Sequence, residues 1–267
     1  MLRPPRSSFE SPFLRQQVPA MSYSSPYESP ASPSGYVSDG DIRKVPIDPI
    51  GLLKRGKELL GDQYWLFLAI TWLAVIIGSM VPFGIVMGPL MVGVYLCMKD
   101  REQGKQVELG TMFNGFDRFV DAFVAVLLQM VISFVLVLPV AIVLGVGAAI
   151  LGAIGNDGNE VAAGIGIIGI VVLIPLIFIV ALLAYMPSVF CFQLIADRGV
   201  TGLQAITLSF KAAWKNLIGL IIFQIVVGII SAVLSMLCFI PVLFFFPIVL
   251  AAAFVMYRDI FPMPQSV

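Results

Sequence analysis

The chain has 267 residues, of which 59% are apolar and only 12% charged, against about 45–50% and about 25% in an ordinary soluble domain. Its mean hydropathy is +0.99, and so little charge cannot solvate the surface of so apolar a body, which excludes a soluble globular enzyme and a simply disordered chain alike. Lys plus Arg and Asp plus Glu balance at 16 each and there is no His, so net charge points to no nucleic acid and the commonest general base and metal ligand is missing.

Residues 1–46 hold ten Ser and eight Pro, with Tyr23, Tyr27 and Tyr36 between them. Such a segment cannot bury enough surface to offset chain entropy, and a disordered cytoplasmic tail is expected. It reads either as an unconstrained extension or as a segment that is phosphorylated or binds a partner. It has no apolar core of a secretory signal, and Met21 could serve as an alternative start.

Four long uncharged runs follow. Gln63 to Met98 is 36 residues, Ala122 to Asn156 is 35, Val161 to Ala196 is 36 and Asn216 to Tyr257 is 42. A helix needs about 20 apolar residues to cross a ~30 Å hydrocarbon core. The first and fourth runs therefore each predict two spans, with turns at Val81-Pro82-Phe83-Gly84 and Phe239-Ile240-Pro241 where proline stops a helix. The second and third each predict one long helix, bent at Pro139 in one and at Pro175 or Pro187 in the other. Six spans result, at roughly 64–81, 84–99, 121–152, 161–194, 217–238 and 241–257.

Eight Lys/Arg precede the first span, four lie between spans two and three, three between four and five, and one after the sixth. The opposite side carries only Asp157 and Glu160 in the loop Gly155-Asn156-Asp157-Gly158-Asn159-Glu160. The positive-inside rule then places both termini in the cytoplasm of a cytoplasmic (inner) membrane. Helix capping explains Asp157 and Glu160 better than calcium, because the other ligands of a calcium loop are missing.

The segments before spans one, three and five share a layout, at Gly51–Asp62, Leu109–Asp121 and Gly202–Asn216. Each mixes apolar residues at three- and four-residue spacing with Lys or Arg, as an amphipathic helix in the headgroup layer requires. Each closes on an Asx residue, and Asp62, Asp121 and Asn216 are expected to cap the helices that follow. The outgoing spans end in Met98-Lys99-Asp100-Arg101, Ala196-Asp197-Arg198 and Tyr257-Arg258-Asp259. The fold class is thus an all-α integral membrane protein of three repeats, each an interfacial helix plus a hairpin, over residues 47–260, with a short tail at 261–267.

No motif carries catalysis. Gly164-Ile-Gly166-Ile-Ile-Gly169 matches a dinucleotide fingerprint in letters only, because no acidic partner or strand–helix setting accompanies it. Glycines here read as packing contacts, as in Gly84-x-x-x-Gly88, Ala148-x-x-x-Gly152 and Gly228-x-x-x-Ala232. No ionisable residue lies inside a span, where an ion-coupled transporter would usually place one. Gln129, Gln193 and Gln224 either hydrogen-bond between helices, the commoner role, or line a polar cavity. The three cysteines, Cys97, Cys191 and Cys238, lie in apolar runs and form no disulfide framework or zinc site; Cys97 and Cys191 sit where S-acylation is chemically possible.

With its Ala213-Trp214-Lys215-Asn216 approach to an apolar run, this layout resembles a group of bacterial six-span proteins over about residues 47–260. The group includes the membrane domain fused to some glycerophosphodiester phosphodiesterases. The resemblance implies the six-span fold and no activity, since the phosphodiesterase chemistry belongs to a separate soluble domain. The expected function is a non-catalytic membrane accessory or scaffold, needing no cofactor, that engages lipid or a protein partner through its interfacial helices. The alternative is a small-solute permease or channel with a polar cavity near Gln129 and Gln224.

Overall fold

A proline at the first helical position gives up an amide that would have no partner anyway, and its fixed φ suits the helix. Pro49 accordingly opens α1 (Pro49–Leu60) in the computed structural model, which describes residues 42–81, 84–155, 177, 179–237 and 239–263. Leu52, Gly56 and Leu60 of α1 are buried while Lys54, Arg55 and Lys57 are exposed. Gly61, at φ 49°, ends it. A 3-10 turn at Gly61–Gln63 leads into α2 (Tyr64–Met80), and α3 (Met87–Glu102) returns. The next interfacial segment, Leu109–Arg118, is a 3-10 helix that runs straight into α4 (Phe119–Gly155). After it come α5 (Ile179–Arg198), α6 (Gly202–Lys215), α7 (Leu217–Leu237) and α8 (Phe239–Ile260). Thr201 and Gln204 form a reciprocal capping box at the start of α6. No strand occurs among the described residues.

Among the described residues, five helical stretches are long and apolar enough to cross a membrane: Pro49–Met80, Leu109–Gly147, Ile179–Arg198, Leu217–Leu237 and Ile240–Ile260. Between Val126 and Gly147 no residue of α4 is buried, although nearly every one is apolar. A helix apolar all round that buries none of these residues in protein has hydrocarbon for its solvent, and the chain is a helical membrane protein. The expected span at 84–99 corresponds to α3, whose 16 residues reach about 24 Å at 1.5 Å per residue, and it is not among the five. It is instead deeply covered: Gly88 to Leu90, Val92 to Tyr95, Cys97 and Met98 are all buried.

Proline acts as expected in part. α4 continues for 37 residues through Pro139, and Pro187 falls in a 3-10 turn, Met186–Ser188, within α5. Pro241 sits in the first turn of α8 rather than between helices, and Pro247 lies inside that helix. Having no N–H, Pro247 leaves the carbonyl of Leu243 without its helical donor. Trp72 Nε1 of α2 donates to that carbonyl at 3.0 Å, and the Tyr64 hydroxyl donates to Phe244 O at 2.6 Å. Inside lipid such cross-helix donors are what make an interior proline tolerable.

Each interfacial segment rests on a return helix from another hairpin. α1 packs on α8, Leu109–Arg118 on α3, and α6 on α5 including its 3-10 turn. The seats are small residues. A Cβ on Gly56 would lie 2.6 Å from Ala252 N, one on Gly93 would strike Met112 O, and one on Gly115 would strike Pro89 O. Of the glycines singled out from sequence, Gly88 does pack, against Ala122 O and Val126 Cγ2 at 2.8 Å. Gly228 faces open space and Gly84 serves a turn at φ 63°; the side chains of Ala148 and Gly152 lie outside the described residues. Also outside them fall residues 1–41, Pro82, Phe83, the loop with Asn156, Asp157, Asn159 and Glu160, the Gly164–Gly169 motif, Pro175 and Cys238.

Candidate functional site: a buried charge cluster below an apolar cavity

The charged ends of the three return helices meet. Asp197 of α5, its side chain 7% exposed, is the centre. Arg258 Nη1 of α8 donates to Asp197 Oδ2 at 2.6 Å, the Tyr257 hydroxyl donates to the same oxygen at 2.9 Å, and Arg198 Nε reaches it at 3.2 Å. From α3, Lys99 Nζ lies 3.1 Å from Asp197 Oδ1 and also donates to its backbone carbonyl at 3.0 Å. Arg258 spends its other face on Glu102 Oε2 at 2.8 Å and stacks over the Phe254 ring, 5.1 Å from the centroid. Arg198 also donates to the carbonyl of Pro262, which holds that residue beside the cluster.

The register explains the convergence. Lys99, Asp197 and Arg258 each stand six residues after a small buried residue, Gly93, Cys191 and Ala252, so similar helices present their charges at one level. One turn deeper, four residues before each charge, stand Tyr95, Gln193 and Phe254, all buried, with the Tyr95 and Phe254 rings stacked at 6.4 Å. Together these two layers close one end of the bundle. An aspartate this buried is tolerable only because three cations and a hydroxyl surround it.

Beyond that layer lies a cavity of about 440 Å³ among α3, α5, α7 and α8. Its walls are chiefly Met91, Phe192, Phe223, Val227, Phe246 and Leu250, with Ser188, Gln224 and Ser231 as polar points. Tyr185 and Gln224 line it and are exposed, so they mark its mouth.

The three candidate glutamines do not share this cavity. Gln224 lines it. Gln129 instead ties α4 to α5, its Nε2 donating to Ala184 O at 2.6 Å and to Ser133 Oγ at 3.1 Å. Gln193 is 1% exposed and neither its Nε2 nor its Oε1 finds a partner among the described residues. Cys97 and Cys191 are both buried, which leaves them no access for acylation.

The expected caps also part company. Asp62 lies inside the 3-10 turn, so Gln63 takes the N-cap position of α2 and makes no side-chain cap bond there. The Asp62 carboxylate pairs with Arg101 from the end of α3, while Gln63 clasps the following loop, donating to Gln106 Oε1 and Val107 O and accepting from Val107 N. Asp121 stands in the first turn of α4, where the dipole favours a carboxylate. Asn216 is the C-cap of α6 and its side chain turns to the N-terminal segment: Oδ1 accepts from Val45 N at 3.0 Å, and Nδ2 donates to Arg43 O and to Ala212 O. Arg43 N donates to Ile260 O, and Lys215 Nζ to Ile42 O. Residues 42–46, which sequence assigns to the tail, are thus a strap across the ends of α6 and α8. Phe261, assigned to the short C-terminal tail, is fully buried against Phe190 and Tyr257.

Sequence alone does not reveal the Asp197 cluster, although Lys99, Asp197 and Arg258 stand out as helix-end punctuation. Their alternation of sign at equivalent positions is the one signal of it. Among the described residues no group of His, Cys, Asp and Glu is arranged to hold a metal ion. No family of known proteins, no curated protein and no solved structure matches this chain.

Proposed function

We propose that this chain is a six-span protein of the cytoplasmic membrane with both ends in the cytoplasm. In this reading it is kin to the six-span group described above and works without catalytic activity of its own as an accessory or scaffold. It engages lipid, or a protein partner, through the outer faces of three interfacial segments. One observation carries the reading: the circular seating of α1 on α8, Leu109–Arg118 on α3 and α6 on α5. That arrangement is what three repeats of one unit would produce, and it supports counting the short α3 as a span. It also leaves Lys54 and Lys57, Phe113 and Phe116, and Leu203, Phe210 and Trp214 exposed, the mixture of cations and large apolar side chains that suits a headgroup layer.

Two measurements test it. Lipid retained by the protein in mild detergent should be enriched in anionic phospholipid over the membrane it came from, and Lys54→Gln with Lys57→Gln should reduce the enrichment. Retained lipid that matches the bulk composition would defeat the lipid-engaging reading. For topology, cysteine placed at Asn156 or Asn159 should react with an impermeant thiol reagent outside the cell while Gly104→Cys should not. Labelling at Gly104 would overturn the orientation.

The permease reading draws its support from Gln224, Ser188 and Ser231 in the cavity wall. Against it stands the closed, ion-paired layer at one end. Uptake of a small polar solute by proteoliposomes, lost in Gln224→Leu, would favour it.

A further inference from the structure

The cavity among α3, α5, α7 and α8 asks for an occupant. Its volume of about 440 Å³ falls within the ~300–1,000 Å³ of small-molecule sites. It follows α8 from Val242 to Met256, which is ~21 Å at 1.5 Å per residue. One leaflet of a ~30 Å hydrocarbon core is ~15 Å deep, so the cavity is longer than a leaflet and shaped along the helix axis. Its walls are overwhelmingly apolar, and apolar cavities do not hold water. Tyr95 and Met256 line it towards its lower end, and the Asp197 cluster lies beyond them. Its mouth at Tyr185 and Gln224 adjoins a helix face, Ile222, Ile225 and Ile229 of α7, that is exposed and apolar. The way in is therefore sideways, from hydrocarbon.

We propose that this cavity is a binding slot for one acyl chain of a membrane phospholipid, which enters laterally between Tyr185 and Gln224 and lies along α8. The chain completes the apolar packing of the four helices above the charged floor. The slot is separate from the interfacial faces invoked above: anionic headgroup enrichment can fail while a chain still occupies the cavity, and the reverse holds equally.

The test uses the full chain expressed in cells fed a long-chain fatty acid bearing a diazirine, so that membrane phospholipids carry the photoprobe. After irradiation, adducts are mapped on peptides. Adducts are expected at cavity residues Phe223, Val227 and Leu250 as well as at the exposed Ile229 and Met236. Ala253→Phe, which puts a ring into the slot, should abolish the first set and spare the second, while Ala253→Ser should leave both. If Ala253→Phe fails to fold, Val249→Phe fills the same space. Adducts confined to Ile229 and Met236, or cavity adducts indifferent to the added ring, would overturn the proposal. So would rapid reaction of Ala253→Cys with a charged thiol reagent, which would mean that the cavity holds water.

Discussion

Removing the carboxylate of Asp197 is the sharpest perturbation of this structure. Asp197→Ala leaves Arg258, Arg198 and Lys99 facing one another, with side chains 10%, 9% and 27% exposed, and Glu102 as the nearest remaining counter-charge. Breaking one partner out of a buried ionic group costs about 3–5 kcal/mol. At roughly 2–4 °C per kcal/mol for a domain of this size, melting in detergent should fall by about 6–20 °C. Asp197→Asn keeps an acceptor for Tyr257 and Arg258 but loses the charge, and should fall between. Asp62→Ala is the control, because among the described residues the carboxylate engages Arg101 alone and the side chain is 71% exposed. Such a pair contributes about 0–1 kcal/mol. Fluorescence-detected size-exclusion chromatography after a temperature ramp reads all three. If Asp197→Ala melts no lower than Asp62→Ala, the cluster does not hold the helix ends together and the account of it is wrong.

Gln193→Met removes an amide that is buried without partners among the described residues and keeps its volume, so it should raise melting by the equivalent of about 1–3 kcal/mol; a drop would show that the amide is satisfied. Gly93→Ala must push the backbone of Met112 away and should cost about 1–3 kcal/mol or more, whereas Gly228→Ala meets nothing within 4 Å and should gain about 0.5–1 kcal/mol. A stable Gly93→Ala protein would refute the close seat. Asn216→Ala cuts the strap from α6 and α7, and limited trypsin digestion should then cleave after Arg43 and Lys44 much faster than in the parent; unchanged cleavage would mean that Ile260 and Lys215 suffice to hold it.

Helix positions were legible because lipid imposes one simple rule on sequence. The stretch without charge from Gln63 to Met98 predicts α2 and α3 almost to their ends, and Asn216 to Tyr257 does the same for α7 and α8. Tertiary partners were not legible, because a side chain's local signal does not say who else arrives. Asn216 looks like the cap of the following helix until Val45 offers its amide from 171 residues away. Asp62 looks like one until Gly61 tightens the turn and Arg101 comes within reach. The glutamines read alike in sequence, yet one bridges two helices, one is sealed in and one faces a cavity. Helical phase alone cannot separate those fates without the neighbouring helices.

The seating of α1 on α8 has a consequence for how the chain is made. Arg55 and Asp259, which join the two in a bidentate pair at 2.7 and 2.9 Å, are 204 residues apart. At roughly 5–20 residues per second of synthesis, α1 waits roughly 10–40 s at the membrane surface before its seat exists. During that interval the buried face of α1, with Leu52, Gly56 and Leu60, has only lipid headgroups or a chaperone to lean on. The helix that shelters α1 is thus one made long after it. A premature stop after α5 would not yield a shorter version of this protein, but an open ring whose leading helix stays exposed to the cell's degradation machinery.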